Sequence, residues 1–311
     1  MDNAQQLATL IQSLGFSEEK ASALFNKLLA DRYAGIIEDA RKGIEPKTTT
    51  IVLNHMQQAV GKVEGHKHPL FDKVLKCVNA GLNVLLIGPA GCGKSYLTWQ
   101  LAQALGRRYG VIHGTAGASE SHLQGWLLPI GQGGQFTYVP AEFVECFEEG
   151  NSLFTLDELD AFDPNMLIVM NGALANNRFH IPQRYTAPHV ERGPNQAIVA
   201  TANTFGTGAD IMYAGRNQLD AATLDRFYPI VMDYDKAYEQ QVAMKQTEIL
   251  DWCWRMREKV QVLKLRRVIS TRTIQKSCIA VNAGLPWAEV KRDILTGWTR
   301  DELAKCGEIQ S

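Results

Sequence analysis

The sequence predicts an α/β fold: a parallel β-sheet covered by helices, followed by an all-helical C-terminal domain and preceded by a small helical segment. Three observations carry this. Five short apolar runs, at 84–87, 109–113, 153–156, 197–200 and 228–232, lack polar alternation and read as strands buried on both faces. Helical patterns lie between most of them, as in a sheet wrapped by crossover helices. After Asp235 the strand signals stop, and 236–306 read as helices with breaks near Gly284, Pro286 and Gly297.

In chain order, residues 1–45 form a helical docking or assembly segment. Leu7, Leu10, Ile11 and Leu14 recur at helical spacing before Gly15, and Ser17 suits the N-cap of a second helix carrying Ala21, Leu24, Phe25 and Leu28. A third helical stretch around Ile36 and Ile37 ends near Gly43. Residues 46–68 read as a polar linker with one short strand at 51–53. Residues 69–234 hold the sheet, and 235–311 form the helical domain.

The composition sets limits. Of 311 residues, 45% are apolar, enough for a large core. Thirty-two basic residues against 33 acidic ones argue against a generally basic nucleic-acid coat, though not against a local groove. The six cysteines include no CxxC pair, which removes a zinc ribbon and a disulfide framework and fits a reducing compartment. The first residues lack a basic, then apolar, secretion signal, and no apolar run approaches 18 residues. The expectation is a cytoplasmic protein with no membrane partner.

The most specific motif follows the first strand. Gly88, Pro89, Ala90, Gly91, Cys92, Gly93, Lys94 and Ser95 match GxxxxGK[ST], and Tyr96 opens the helix behind them. Glycines let the backbone curl so that its N–H groups face a polyphosphate, and the helix adds its positive end. Lys94 is expected on the β- and γ-phosphates and the Ser95 hydroxyl on Mg²⁺. Nothing in this loop separates ATP from GTP. Cys92 reads as a small filler.

The strand at 152–156 ends in Asp157 and Glu158. Neighbouring side chains at a strand end take different directions. Asp157 is expected to hold Mg²⁺, and Glu158 to polarise the water that attacks the γ-phosphate. Asp163 and Pro164 then read as N-cap and first residue of a helix at 165–175.

Further blocks carry a family resemblance: 123–127, 134–140, 149–158, 198–204, 208–215, 219–227 and 270–273. Over roughly 65–300 the sequence resembles an AAA+ ATPase, and within that family the MoxR/CobS-like group that includes the dynein-related subfamily. The resemblance implies ATP and Mg²⁺ as ligands and a hexameric ring or spiral of identical subunits. It makes Asn203 the sensor that orients the attacking water, and Arg226 a finger acting on the neighbouring subunit's nucleotide. It makes Arg272 a second sensor on the lid. Thr271 stands where the family usually has proline, a departure beside Arg272.

Two hairpins belong to the same resemblance. One spans 126–139 around Gly131, Gly133 and Gly134, with Phe136 and Tyr138 either gripping a polypeptide or packing on the domain. The other runs from Arg178 to about Val190, where Arg178, His180 and Arg184 either meet a partner or are solvated. In the helical domain, Arg255, Arg257, Lys259, Lys264, Arg266 and Arg267 face one local acid, Glu258. They are a nucleic-acid patch, a contact for the acidic 142–149 stretch of a neighbour, or a solvated face. Trp252 and Trp254 are two apart and cannot share a helical face. His66 and His68 read as linker residues.

The expected function is an ATP-driven remodeller of a partner protein, serving cofactor or metal insertion, with a von Willebrand A domain protein as the implied partner. A nucleotide-gated scaffold with slow hydrolysis and a nucleic-acid motor are the alternatives.

Overall fold

The computed structural model describes residues 49–50, 62–115, 117–130, 135–209 and 212–309. These belong to one compact unit spanning Thr49–Ser311. The helices expected at 1–45 and the strand expected at 51–53 lie outside the described residues.

Two short strands, β1 (Thr49–Thr50) and β2 (Lys62–Val63), pair antiparallel and precede helix α1 (Phe71–Asn79). The central sheet then follows: β3 (Val84–Ile87), helix α2 (Lys94–Leu105) and β4 (Arg108–His113). A short helix α3 (Ser121–Gln124) leads into the hairpin β5 (Trp126–Ile130) and β6 (Gln135–Val139). After α4 (Glu142–Glu149), β7 (Ser152–Asp157) and α5 (Pro164–Asn176) comes a second hairpin, β8 (Arg178–His180) and β9 (His189–Glu191). Strand β10 (Ala197–Ala202), the short helix α6 (Ala221–Leu224) and β11 (Tyr228–Val231) complete the α/β part.

The five strands of the central sheet are all parallel, in the order β11-β3-β10-β7-β4. All five sequence-expected runs are therefore strands. The order explains their composition. Strands β3, β7 and β10 are interior and buried at every position, while β4 and β11 are edges and half-exposed. Pro229, which has no N–H to donate, sits on edge strand β11.

Alternation along each strand divides the core into two layers. Leu85, Ile87, Phe154, Leu156, Ile198 and Ala200 face a layer built on Phe143, Phe147, Phe162 and Phe179. Val84, Leu86, Leu153, Ala197 and Val199 face the opposite layer, with Val74, Leu75, Leu97 and Leu101. Val63 belongs to that second layer and is fully buried. The stretch at 62–68 is thus packed onto the domain, and the linker expectation does not hold there.

The helical part comprises α7 (Lys236–Ala243), α8 (Thr247–Val262), α9 (Thr271–Asn282), α10 (Trp287–Ile294) and α11 (Arg300–Lys305). Asp235 caps α7 by accepting from Ala237 and Tyr238 N–H groups. Gly284 and Gly297 take positive φ at the breaks expected from the sequence. Ile249, Trp252, Met256, Ile274 and Cys278 form its core. No helix among the described residues is long and apolar enough to cross a membrane.

Both hairpins form as expected. On the first, Phe136 is 63% exposed, whereas Tyr138 is half-buried and its hydroxyl donates to the Gln124 carbonyl. On the second, Arg178 and Arg184 pair with Glu191 and Glu148. The basic residues of the helical part are also partly committed. Arg257 pairs with Glu239, Arg267 with Glu302, and Lys259 donates to the Cys306 carbonyl. Those partners are distant in sequence, so the local view made the cluster look more uncompensated than it is. Trp252 is core and bonds Glu308, while half-buried Trp254 donates to Glu239.

Candidate nucleotide site

In an open parallel sheet, ligands bind beyond the carboxyl ends of the strands. Here the register brings four such ends level: Ile87 pairs with Ala202, Leu156 with Ala200, and His113 with Asp157. The residues just past them line a cavity of about 450 Å³.

The loop at 88–95 leaves β3 with geometry only glycine permits. Gly91 and Gly93 have φ of 76° and 98°, in the left-handed region. A Cβ at Gly88 would stand 2.0 Å from the Met232 carbonyl oxygen, and one at Gly91 would meet Ser270 at 2.8 Å. Gly91 thus lies directly against the N-cap of α9. Two tyrosines clamp the loop at Ala90, whose N–H donates to the Tyr213 hydroxyl and whose carbonyl accepts from the Tyr234 hydroxyl, each at 2.9 Å.

Lys94 is 7% exposed and donates to the Gly88 carbonyl at 2.7 Å, the Pro89 carbonyl at 2.9 Å and Asn203 Oδ1 at 2.9 Å. Burial lowers its pKa, opposed by the charges of Asp157, Asp160 and Glu158. Cys92 is buried behind the loop, and burial raises its thiol pKa.

Ser95 Oγ donates to Asp157 Oδ1 at 2.8 Å. The same oxygen accepts from Thr201 Oγ1 at 2.6 Å, and Asp157 Oδ2 meets His113 Nδ1 at 3.0 Å. Thr201 Oγ1 in turn accepts from the Glu158 N–H at 3.0 Å. Glu158 has φ 58° and ψ 53°, a left-handed conformation that costs a non-glycine residue on the order of 1 kcal/mol and is common at functional sites. Glu158 lines the cavity beside Asp157.

The cavity therefore gathers Ala90, Gly91, Cys92, Gly93, Lys94, Ser95, Tyr96, Asp157, Glu158, Asn203 and Arg272. Arg226 is elsewhere, half-buried at the end of α6. Its Nη1 donates to the Ala222 carbonyl, and its Nε has no hydrogen-bond partner among the described residues. A hard-cation site also fits: Ser95 and Asp157 offer oxygen donors already within 2.8 Å of each other in the cavity.

Several lining residues escaped the sequence analysis. His66, read as linker, bonds Asp235 Oδ2 at 2.6 Å and stacks on Tyr238 at 4.6 Å. His68 bonds the Asp233 carbonyl, and burial lowers its pKa. Gln100 fixes the same stretch by donating to the carbonyls of Glu64 and His66. These residues close the cavity between the chain before α1 and the first helical turn beyond β11. Thr271, the departure from the expected proline, donates to buried Glu239 Oε1 at 2.7 Å. Thr201 lay inside the 198–204 stretch that carried the family resemblance, which was the available signal.

A known domain family matches the region that holds the cavity. Residues 83–227 match the AAA domain of the dynein-related subfamily. The chain is 24% identical over 186 residues to an uncharacterized protein of Staphylococcus saprophyticus, covering 58% of this chain and 67% of that one. A protein of Staphylococcus haemolyticus gives the same figures. Midasin of Dictyostelium discoideum is 29% identical over 167 residues, 52% of this chain and 3% of midasin. A crystal structure of a candidate ATPase from Cytophaga hutchinsonii superposes with a TM-score of 0.43 at 19% identity, covering 57% of this chain and 50% of that chain. Residues 83–227 thus carry an AAA domain, and the loop at 88–96 is its candidate nucleotide-binding loop.

Proposed function

We propose that the protein hydrolyses ATP with Mg²⁺ at the junctions of a ring-shaped or spiral homo-oligomer, and uses the cycle to remodel a partner protein. The observation that carries the hydrolytic reading is the convergence of Lys94, Ser95, Asp157, Glu158 and Asn203 on one cavity.

Phosphoryl transfer needs positioning and charge rather than covalent help. In this reading the 88–93 backbone cradles the phosphates, and Lys94 exchanges its carbonyl partners for phosphate oxygens. Ser95 and Asp157 would hold Mg²⁺, which supplies positive charge against the β- and γ-phosphates. Glu158 accepts a proton from the attacking water, and Asn203 holds that water in line. Arg272 reaches in from α9, and Arg226 acts on the next subunit's nucleotide. A finger of this kind is worth about 10³–10⁵ in rate.

The MoxR/CobS-like character, the cytoplasmic location and a von Willebrand A domain partner are further parts of the proposal and rest on the resemblance alone. The exposed Phe136 on the first hairpin supports a protein client. The internal pairing of Arg257 and Arg267 weighs against a nucleic-acid motor.

Glu158→Gln tests the reading. It should bind ATP and assemble like the wild type, with turnover reduced by about 10²–10⁴. Normal turnover in that variant would contradict it.

A further inference from the structure

The loop that follows Asn203 returns to the turn after β7 and is fastened there. Asn217 N–H donates to the Asp160 carbonyl at 2.7 Å, and its side-chain amide donates to the Phe162 carbonyl at 2.8 Å. This sets Arg216 Nη1 3.2 Å from Glu158 Oε2 and 3.5 Å from Asp160 Oδ1.

The two carboxylates differ. The Asp160 side chain is fully buried. Its Oδ2 accepts from the N–H groups of Asn203 and Thr204 and from the Thr204 hydroxyl, at 2.9–3.1 Å. Its Oδ1 has no hydrogen-bond partner among the described residues and faces Arg216. The Glu158 side chain is 46% exposed and lines the nucleotide cavity, whereas Arg216 is 13% exposed and does not line it. One guanidinium nitrogen thus both compensates a buried charge and holds the cavity carboxylate.

We propose that Arg216 is a positioning residue for hydrolysis: it fixes Glu158 through Oε2 and leaves Oε1 for the attacking water. Oε1 makes no hydrogen bond among the described residues. Arg216 acts through Glu158 and never meets the nucleotide. Through Asp160 the same ion-pair cluster also anchors the backbone of Asn203, so the two groups that flank the water share one support. Both contacts come from Nη1, which stands one bond farther from the backbone than a lysine ammonium, so a lysine does not reproduce its place between the two carboxylates. With Asp160 buried, a lysine here satisfies Asp160 and releases Glu158.

This inference rests on the ATPase reading, and the experiment separates the two. Full-length Arg216→Lys and Arg216→Gln are compared with wild type and Glu158→Gln for kcat, KM, melting temperature and affinity for a fluorescent ATP analogue. Misplacing a reacting group by about 1 Å can cost 10²-fold, so kcat should fall about 10- to 100-fold. KM and analogue affinity should stay within about twofold, and Arg216→Lys should melt near wild type. Arg216→Gln leaves Asp160 uncompensated; if it fails to fold, Arg216→Lys decides. Unchanged or increased kcat overturns the proposal. So does a loss of kcat matched by a loss of nucleotide affinity and melting temperature, which marks a purely structural role. Wild-type turnover no higher than that of Glu158→Gln defeats the ATPase reading instead. The crystal structure of Arg216→Lys then judges the placement: Glu158 unmoved overturns the proposal, and Glu158 turned from the cavity upholds it.

Discussion

Lys94 Nζ donates to Asn203 Oδ1 at 2.9 Å, joining the phosphate loop to the end of β10 across the floor of the cavity. The two residues stand 109 positions apart, and they meet because β3 and β10 are adjacent parallel strands ending level. The lysine is therefore held in place before any phosphate arrives.

Asn203→Ala removes this side-chain acceptor and the group assigned to the attacking water. The expected outcome is a fall in kcat of about 10²–10³, with ATP affinity changed little because the loop carbonyls still hold Lys94. Steady-state kinetics with a direct binding titration check it. A loss confined to affinity would reassign Asn203 to ground-state binding.

The helical part depends on one buried carboxylate. Glu239 is fully buried and accepts from Trp254 Nε1, from both Arg257 terminal nitrogens and from Thr271 Oγ1, at 2.6–3.0 Å. Arg257 also stacks on Tyr234, which clamps Ala90. Glu239→Ala strands the Arg257 charge and should cost about 3–5 kcal/mol, read by denaturant or thermal unfolding. A loss below about 1 kcal/mol would show that the cluster is not needed for stability.

A pH effect follows from Glu302. Arg267 beside it holds its carboxyl at about 2, below the ordinary value of 4.5. A carboxylate depressed in the folded state adds stability above its unfolded pKa and loses it as pH falls through the folded one. Stability of the helical part should therefore decline from about pH 4.5 towards about 2, and Arg267→Ala should flatten that part of the profile. Circular dichroism melts across this range test it, and identical profiles for both proteins would remove the pair as the cause.

Much of the fold was legible because its signals are local. Strands buried on both faces leave unbroken apolar runs, and phosphate loops need glycines at fixed spacing. Asp157 and Glu158 could be read because an apolar strand ends in them. The supporting residues could not. His66 and Asp235, or Arg216 and Asp160, meet only after the chain has folded back, and neither pair has a spacing rule. The basic residues at 255–267 misled for the same reason: Glu239 and Glu302, which neutralise two of the cluster, come from other helices.

The central claim is a pocket completed by a neighbour, with Lys94 on one side and Arg226 on the other. The direct measurement is ATP hydrolysis by Lys94→Ala and Arg226→Ala, each alone and then mixed and co-assembled. Each alone should be nearly inactive, and the mixture should recover turnover, because some junctions pair an intact Lys94 with an intact Arg226. No recovery in a mixture shown to co-assemble, or near-normal turnover by Arg226→Ala alone, would contradict the claim.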